Sequence, residues 1–221
     1  MASALISGLL QQGYAAKQIH VVEINAENRE KVKHEFGVSA AADLTSGIAE
    51  SDAVLLSVKP QQLFELTQKL APLLRNQLII SIAAGICATD IIRWLGGYQR
   101  VVRAMPNTPS LVRSGVAGLY ANSDVGEQDR KNAESILAAV GSTLWVDEEE
   151  MLHAVTAISG SGPAYVFYFI ESMQQAGIEL GLTPVQARQL SLQTFVGASK
   201  LASLSDEEAV TLRARVTSKG G

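Results

Sequence analysis

AVLLSVKPQQLFELTQKLAPLLRNQLIISIA, residues 53–83, is the stretch whose reading decides the fold. Residues 53–58 and 77–83 are nearly continuous β-branched and aliphatic runs, the composition of strands buried on both faces. Between them, Pro60 opens a helical pattern over 61–74. A strand, a helix and a second strand at this spacing imply a parallel pair with a crossover helix.

The same alternation continues on both sides. Runs at 19–23 and 100–105 read as further buried strands. Helical patterns at 1–12, 26–36 and 89–95 close at Gly13, Gly37 and Gly96, where glycine is the expected terminator. A strand at 115–121, a helix at 127–140 and a strand at 142–146 extend the sheet. Residues 1–147 are therefore expected to form an α/β domain with a doubly wound parallel sheet. After Asp147 the pattern is wholly helical, at 150–158, 163–180, 184–203 and 206–215, so 148–221 is expected to be a second, helical domain. Glu148, Glu149 and Glu150 sit where a helix N-terminus favours negative charge.

Ser159-Gly160-Ser161-Gly162-Pro163-Ala164 interrupts two strongly apolar segments. Small residues and a proline are costly inside a helix. The run reads either as a close approach of backbone to backbone or ligand, or as a simple helix corner. The helix that follows carries Ala164, Tyr165, Val166, Phe167, Phe169 and Ile170, apolar almost all round. Such a helix must be buried on every face, which a helical tail cannot do alone, so a subunit interface is expected.

Hydrophobic residues make up 47% of the 221 and charged residues 18%, with a formal charge of −4. The absence of a basic cluster argues against nucleic acid as a partner. No apolar run approaches the roughly 20 residues of a membrane span, and no signal peptide is visible. Cys87 is the only cysteine, and the three histidines lack ligand spacing, so no disulfide or metal site is expected. These features fit a cytoplasmic protein.

In open parallel sheets, ligands bind beyond the carboxyl ends of the strands. The first such end carries Glu23 and then Asn25; a carboxylate there accepts ribose hydroxyls, or is simply an exposed charge. The next is Ser57-Val58-Lys59-Pro60, whose lysine meets a pyrophosphate or ribose, or is merely solvated. Then come Ala83 and Ala84 in 81–85, small enough for a nicotinamide ring to approach. Last, Pro106 and Pro109 bracket Asn107 and Thr108 in a rigid loop.

Together VKP at 58–60, SIAAG at 81–85, RAMPNTP at 103–109, AVTAISGSGPAYVFYFIE at 154–171 and VTSKGG at 216–221 resemble pyrroline-5-carboxylate reductase. The resemblance covers essentially the whole chain. It implies a Rossmann domain, a helical dimerisation domain, and homodimers or higher oligomers of dimers. It also implies that NADP or NAD, in reduced form, reduces the C=N bond of 1-pyrroline-5-carboxylate to L-proline, the last step of proline biosynthesis. By position, the resemblance puts Ser57, Val58, Lys59, Pro60, Ala83, Ala84 and Asn107 at the cofactor. Val216, Thr217, Ser218, Gly220 and Gly221 fall at the substrate carboxylate. Little acid–base machinery is needed, because a cyclic imine protonates readily and its iminium accepts hydride.

The chain departs from the family at both ends. The family begins with a strand and a G-x-G-N-M loop ahead of its first helix, and it continues past the final Gly-Gly into threonines, one of which is thought to assist protonation. Neither part is in this sequence, so the chain reads as a fragment of low activity, with the strands at 19–23 and 53–58 left as edges. Lys219 stands where proline is common, and Glu23 favours NAD on charge grounds. A β-hydroxyacid dehydrogenase shares the plan but needs a catalytic lysine, and none occurs before Lys200 on the corresponding stretch. The third reading is a non-catalytic dimer scaffold.

Overall fold

The computed structural model describes residues 1–218. Contacts divide the chain into two compact units, Met1–Pro163 and a second beginning at Ala164. The first unit runs past the expected boundary at Asp147, because residues 148–163 are packed on the sheet.

In the first unit, helix α1 (Ala2–Gln11) leads to strand β1 (His20–Val22), α2 (Ala26–Phe36), β2 (Ser39–Ala41) and a single turn, α3 (Thr45–Ile48). Then follow β3 (Ala53–Leu56), α4 (Pro60–Leu70), β4 (Leu78–Ser81), α5 (Ala88–Trp94) and β5 (Val101–Pro106). A 3-10 turn at Thr108–Val112 leads to β6 (Gly115–Ala121), α6 (Glu127–Ala138), β7 (Gly141–Trp145) and α7 (Met151–Val155). Local chemistry places several ends. Pro60 is the first residue of α4, Asn25 caps α2 through its side chain, and Gly37 ends α2 in the left-handed region at φ 67.

Strands β3 to β7 form one sheet in sequence order, and β1 pairs only with β2. The edges expected at β1 and β3 are thus both present. They face a cleft of about 2340 Å3, whose lining includes both strands and α1. Strand β2 was not foreseen, since Ser39–Ala41 carries no apolar run.

The parallel expectation needs one correction: β5 and β6 are antiparallel, with Val102 opposite Ala121 and Pro106 opposite Ala117. A parallel return needs a crossover of a dozen residues or more, which 107–114 cannot supply. Alternate residues of β4 enter opposite layers. Leu78 and Ile80 meet Leu5 of α1 and Leu137 of α6, while Ile79 meets Leu63 of α4 and Ile91 of α5. Helices on both faces make the sheet doubly wound.

A π-helical turn at Thr156–Gly160 follows α7, and then α8 (Gly162–Glu179). The second unit contains most of α8, then α9 (Pro184–Leu204) and α10 (Ala209–Val216). Thr183 and Gln186 form a capping box for α9. Gly177 and Ala187 bring α8 and α9 together; a Cβ at Gly177 would lie 3.2 Å from that of Ala187. No residue of α8 is buried in the single chain, and Tyr165, Phe167, Tyr168 and Phe169 are 55–67% exposed.

Candidate functional site

The parallel register sets Leu56 against Ser81 and Ser81 against Arg103. The ends of β3, β4 and β5 therefore lie side by side on one rim. At the end of β3, Ser57 and Val58 are half-buried, Lys59 is exposed as the N-cap of α4, and Pro60 follows. The N-terminal amides of α4 and the lysine put positive charge at this point. At the end of β4, Ala83 is buried and Ala84 exposed, and Gly85 turns the chain at φ 76. Ser81 is fully buried, with its hydroxyl accepting the Ala83 N–H at 3.3 Å.

Glu23 and Asn25 lie beyond β1, and with Ser57, Val58 and Lys59 they line the cleft between β1 and β3. Both are also used locally. Glu23 Oε1 accepts the Asn25 N–H at 2.8 Å, and Asn25 Oδ1 accepts the Asn28 N–H at 2.9 Å. Arg29 donates to the Glu23 carbonyl at 2.8 Å, so its guanidinium is anchored under the loop.

Asn107 follows directly on the end of β5. It is buried, its Oδ1 accepts the Val116 N–H at 2.9 Å, and its Nδ2 donates to the Ser159 carbonyl at 3.1 Å. Ser159 belongs to the interrupted stretch, whose start is thus held at the end of β5. Gly160 allows that approach, for a Cβ there would lie 2.8 Å from Met105 Cε. At Gly118 a Cβ would lie 2.7 Å from Val155 Cγ1. These are contacts of backbone with side chains.

Val216, Thr217 and Ser218 are exposed at the end of α10, with the Thr217 hydroxyl donating to the Arg213 carbonyl at 2.8 Å. Gly220 and Gly221 lie outside the described residues.

One group near the rim escaped the sequence reading. Glu149 accepts from Arg103 of β5 at 2.5 Å, and the same oxygen accepts the first N–H of α5, at Ala88, at 2.6 Å. The side chains are 17% and 10% exposed. The acidic run at 148–150 signalled a local helix cap; nothing local pointed to a partner so far back in the chain.

Comparison with known proteins bears on what such a rim does. Residues 149–221 match the family model described as pyrroline-5-carboxylate reductase dimerisation. Residues 1–85 match that described as NADP oxidoreductase coenzyme F420-dependent. Pyrroline-5-carboxylate reductase of Pseudomonas aeruginosa is 47% identical, across the whole of this chain and 81% of its own length. That of Haemophilus influenzae is 42% identical, with 82% of its length covered. Among solved structures, the Coxiella burnetii pyrroline-5-carboxylate reductase superposes with a TM-score of 0.94 at 40% identity, covering all of this chain and 82% of that one. The Plasmodium falciparum pyrroline carboxylate reductase, solved with NADP bound, gives 0.87 at 28%, covering 99% and 81%.

Proposed function

This chain belongs to the pyrroline-5-carboxylate reductase family, and from that footing we propose how its residues serve the reaction. The reaction is the NAD(P)H-dependent reduction of 1-pyrroline-5-carboxylate to L-proline. When bound, the reduced nicotinamide supplies the hydride that adds to C5 of the imine.

The rim suits such a cofactor. Lys59 and the dipole at the start of α4 offer positive charge to the pyrophosphate, with the Gln61 N–H left in a first turn where Pro60 has no N–H and the Gln62 N–H meets the Lys59 carbonyl. Ala83, Ala84 and Gly85 leave room beside the backbone, and a Cβ at Gly85 would meet nothing within 4 Å. The alignment of Ser57, Val58, Lys59, Pro60, Ala83 and Ala84 on one rim is the observation that carries this assignment. Glu23, with Oε2 uncommitted, is placed to accept a ribose hydroxyl at the far side of the cleft. Val216, Thr217 and Ser218, with Gly220 and Gly221, are assigned to the substrate carboxylate by their place in the family motif. No strong acid is called for, because the imine nitrogen is itself basic enough to take a proton from water, and that protonated form is the hydride acceptor.

The exposed aromatic face of α8 supports a homodimer or a higher oligomer of dimers, formed through the helical unit. The exposed free thiol of Cys87 suits a reducing cytoplasm.

The test is the loss of NADPH or NADH absorbance on addition of 1-pyrroline-5-carboxylate to the protein expressed from its own gene. Turnover that falls at least tenfold in Lys59→Ala, mainly through KM, supports the assignment. A folded protein that oxidises neither cofactor refutes it and favours the scaffold reading.

A further inference from the structure

We propose that Asn107 is a positioning residue, which seats the break between α7 and α8 by supplying the hydrogen-bond donor that Pro163 lacks. In an unbroken α-helix the carbonyl of Ser159 accepts from the N–H of residue 163. That residue is proline and has no N–H to give. The Nδ2 of Asn107 takes its place at 3.1 Å, from the end of β5.

The rest of the break is built to make this substitution possible. The turn is widened to π geometry, with the Ser161 N–H reaching the Thr156 carbonyl at 2.8 Å. The hydroxyls of Thr156 and Ser159 donate back to the carbonyls four residues earlier, at 2.7 and 2.9 Å, a habit that bends helices. The other arm of Asn107 is equally committed. Its Oδ1 holds the Val116 N–H at 2.9 Å, one register step beyond the last paired residues of β5 and β6. A carboxamide bonded to backbone at both ends is a tie within the chain, and what it ties is the break to the strand beside the Ala83–Ala84 rim. The interrupting proline and the asparagine between two prolines thus form one device, although they are far apart in sequence.

The experiment is thermal unfolding of the whole chain with Asn107→Ala and Pro163→Ala, singly and together. Asn107→Ala lowers the midpoint by roughly 4–8 °C, the effect of stranding two backbone groups. Pro163→Ala creates an N–H that the Ser159 carbonyl can accept, so in that background the fall shrinks to about half. Equal falls in both backgrounds overturn the proposal. If Asn107→Ala does not fold, the near-isosteric Asn107→Leu fills the site without either hydrogen bond, and the same comparison is made with it.

In turnover, Asn107→Ala lowers kcat while KM for the nicotinamide cofactor stays within about twofold, and Pro163→Ala restores part of kcat. A tenfold rise in KM that Pro163→Ala leaves in place, of the order of one lost ligand contact, would instead put the carboxamide on the cofactor and overturn the proposal. The purpose of the tie rests on the reductase reading. The unfolding comparison needs no turnover, so a failed tie and a failed reductase are told apart.

Discussion

Replacing Glu149 by alanine strands two partners at once. Arg103 lies in β5 with its side chain 10% exposed, and it loses the carboxylate that Nη1 meets at 2.5 Å. The Ala88 N–H, on a residue 2% exposed, loses the Glu149 carboxylate that accepts it, and the N-cap residue Cys87 makes no side-chain bond to replace it. Removing one member of a buried pair costs about 3–5 kcal/mol, mostly through the charge left behind. The lost cap adds about 1 kcal/mol. At roughly 2–4 °C per kcal/mol for a chain of this size, Glu149→Ala should melt about 8–24 °C below the parent. Urea unfolding followed by circular dichroism gives the free energy directly. Glu149→Gln, which retains an acceptor for Ala88, should lose less than Glu149→Ala. The double variant Arg103→Met with Glu149→Leu should recover most of the loss, because a buried pair replaced as a whole by apolar side chains is near neutral. A loss below about 1 kcal/mol for Glu149→Ala, the worth of an exposed pair, would refute the reasoning.

Three further outcomes are expected. Burial holds the Tyr98 hydroxyl above its ordinary 10.0, and that hydroxyl donates to the Gln77 carbonyl at 2.6 Å. The folded state therefore keeps a proton that the unfolded state releases. Its stabilisation is complete below pH 10.0 and is lost as pH rises through the folded value, so the melting temperature should fall less steeply in that range for Tyr98→Phe. Gly8→Ala places a Cβ against the backbone carbonyl of Ala139; overpacking of about 1–3 kcal/mol outweighs the gain of about 1 kcal/mol in helix propensity, and a stabilised variant would contradict the close approach of α1 to that turn. Phe167→Glu puts a charge on the exposed apolar face of α8, and sedimentation should show a shift toward monomer with the first unit still folded; unchanged association would remove that face from the interface.

What the sequence determined by itself lies within a few residues of each signal. Buried strands announce themselves as short apolar runs. Helix ends are set by neighbours, as at Pro60, Asn25 and Gly37, because caps and positive φ act over a single turn. The apolar helix after Pro163 demanded cover that one chain does not provide. Tertiary structure decided the rest, for reasons of geometry. The direction of β6 followed from a connection too short to cross the sheet. Glu149 looked like a cap for the helix beside it, yet it serves α5 and Arg103, since a charge goes where packing brings a partner and an unmade donor. Asn107 stands at a strand end, and folding delivers to it a carbonyl that a proline 56 positions later cannot satisfy. Such pairings arise only once layers have stacked, and no periodicity or spacing within either segment encodes them.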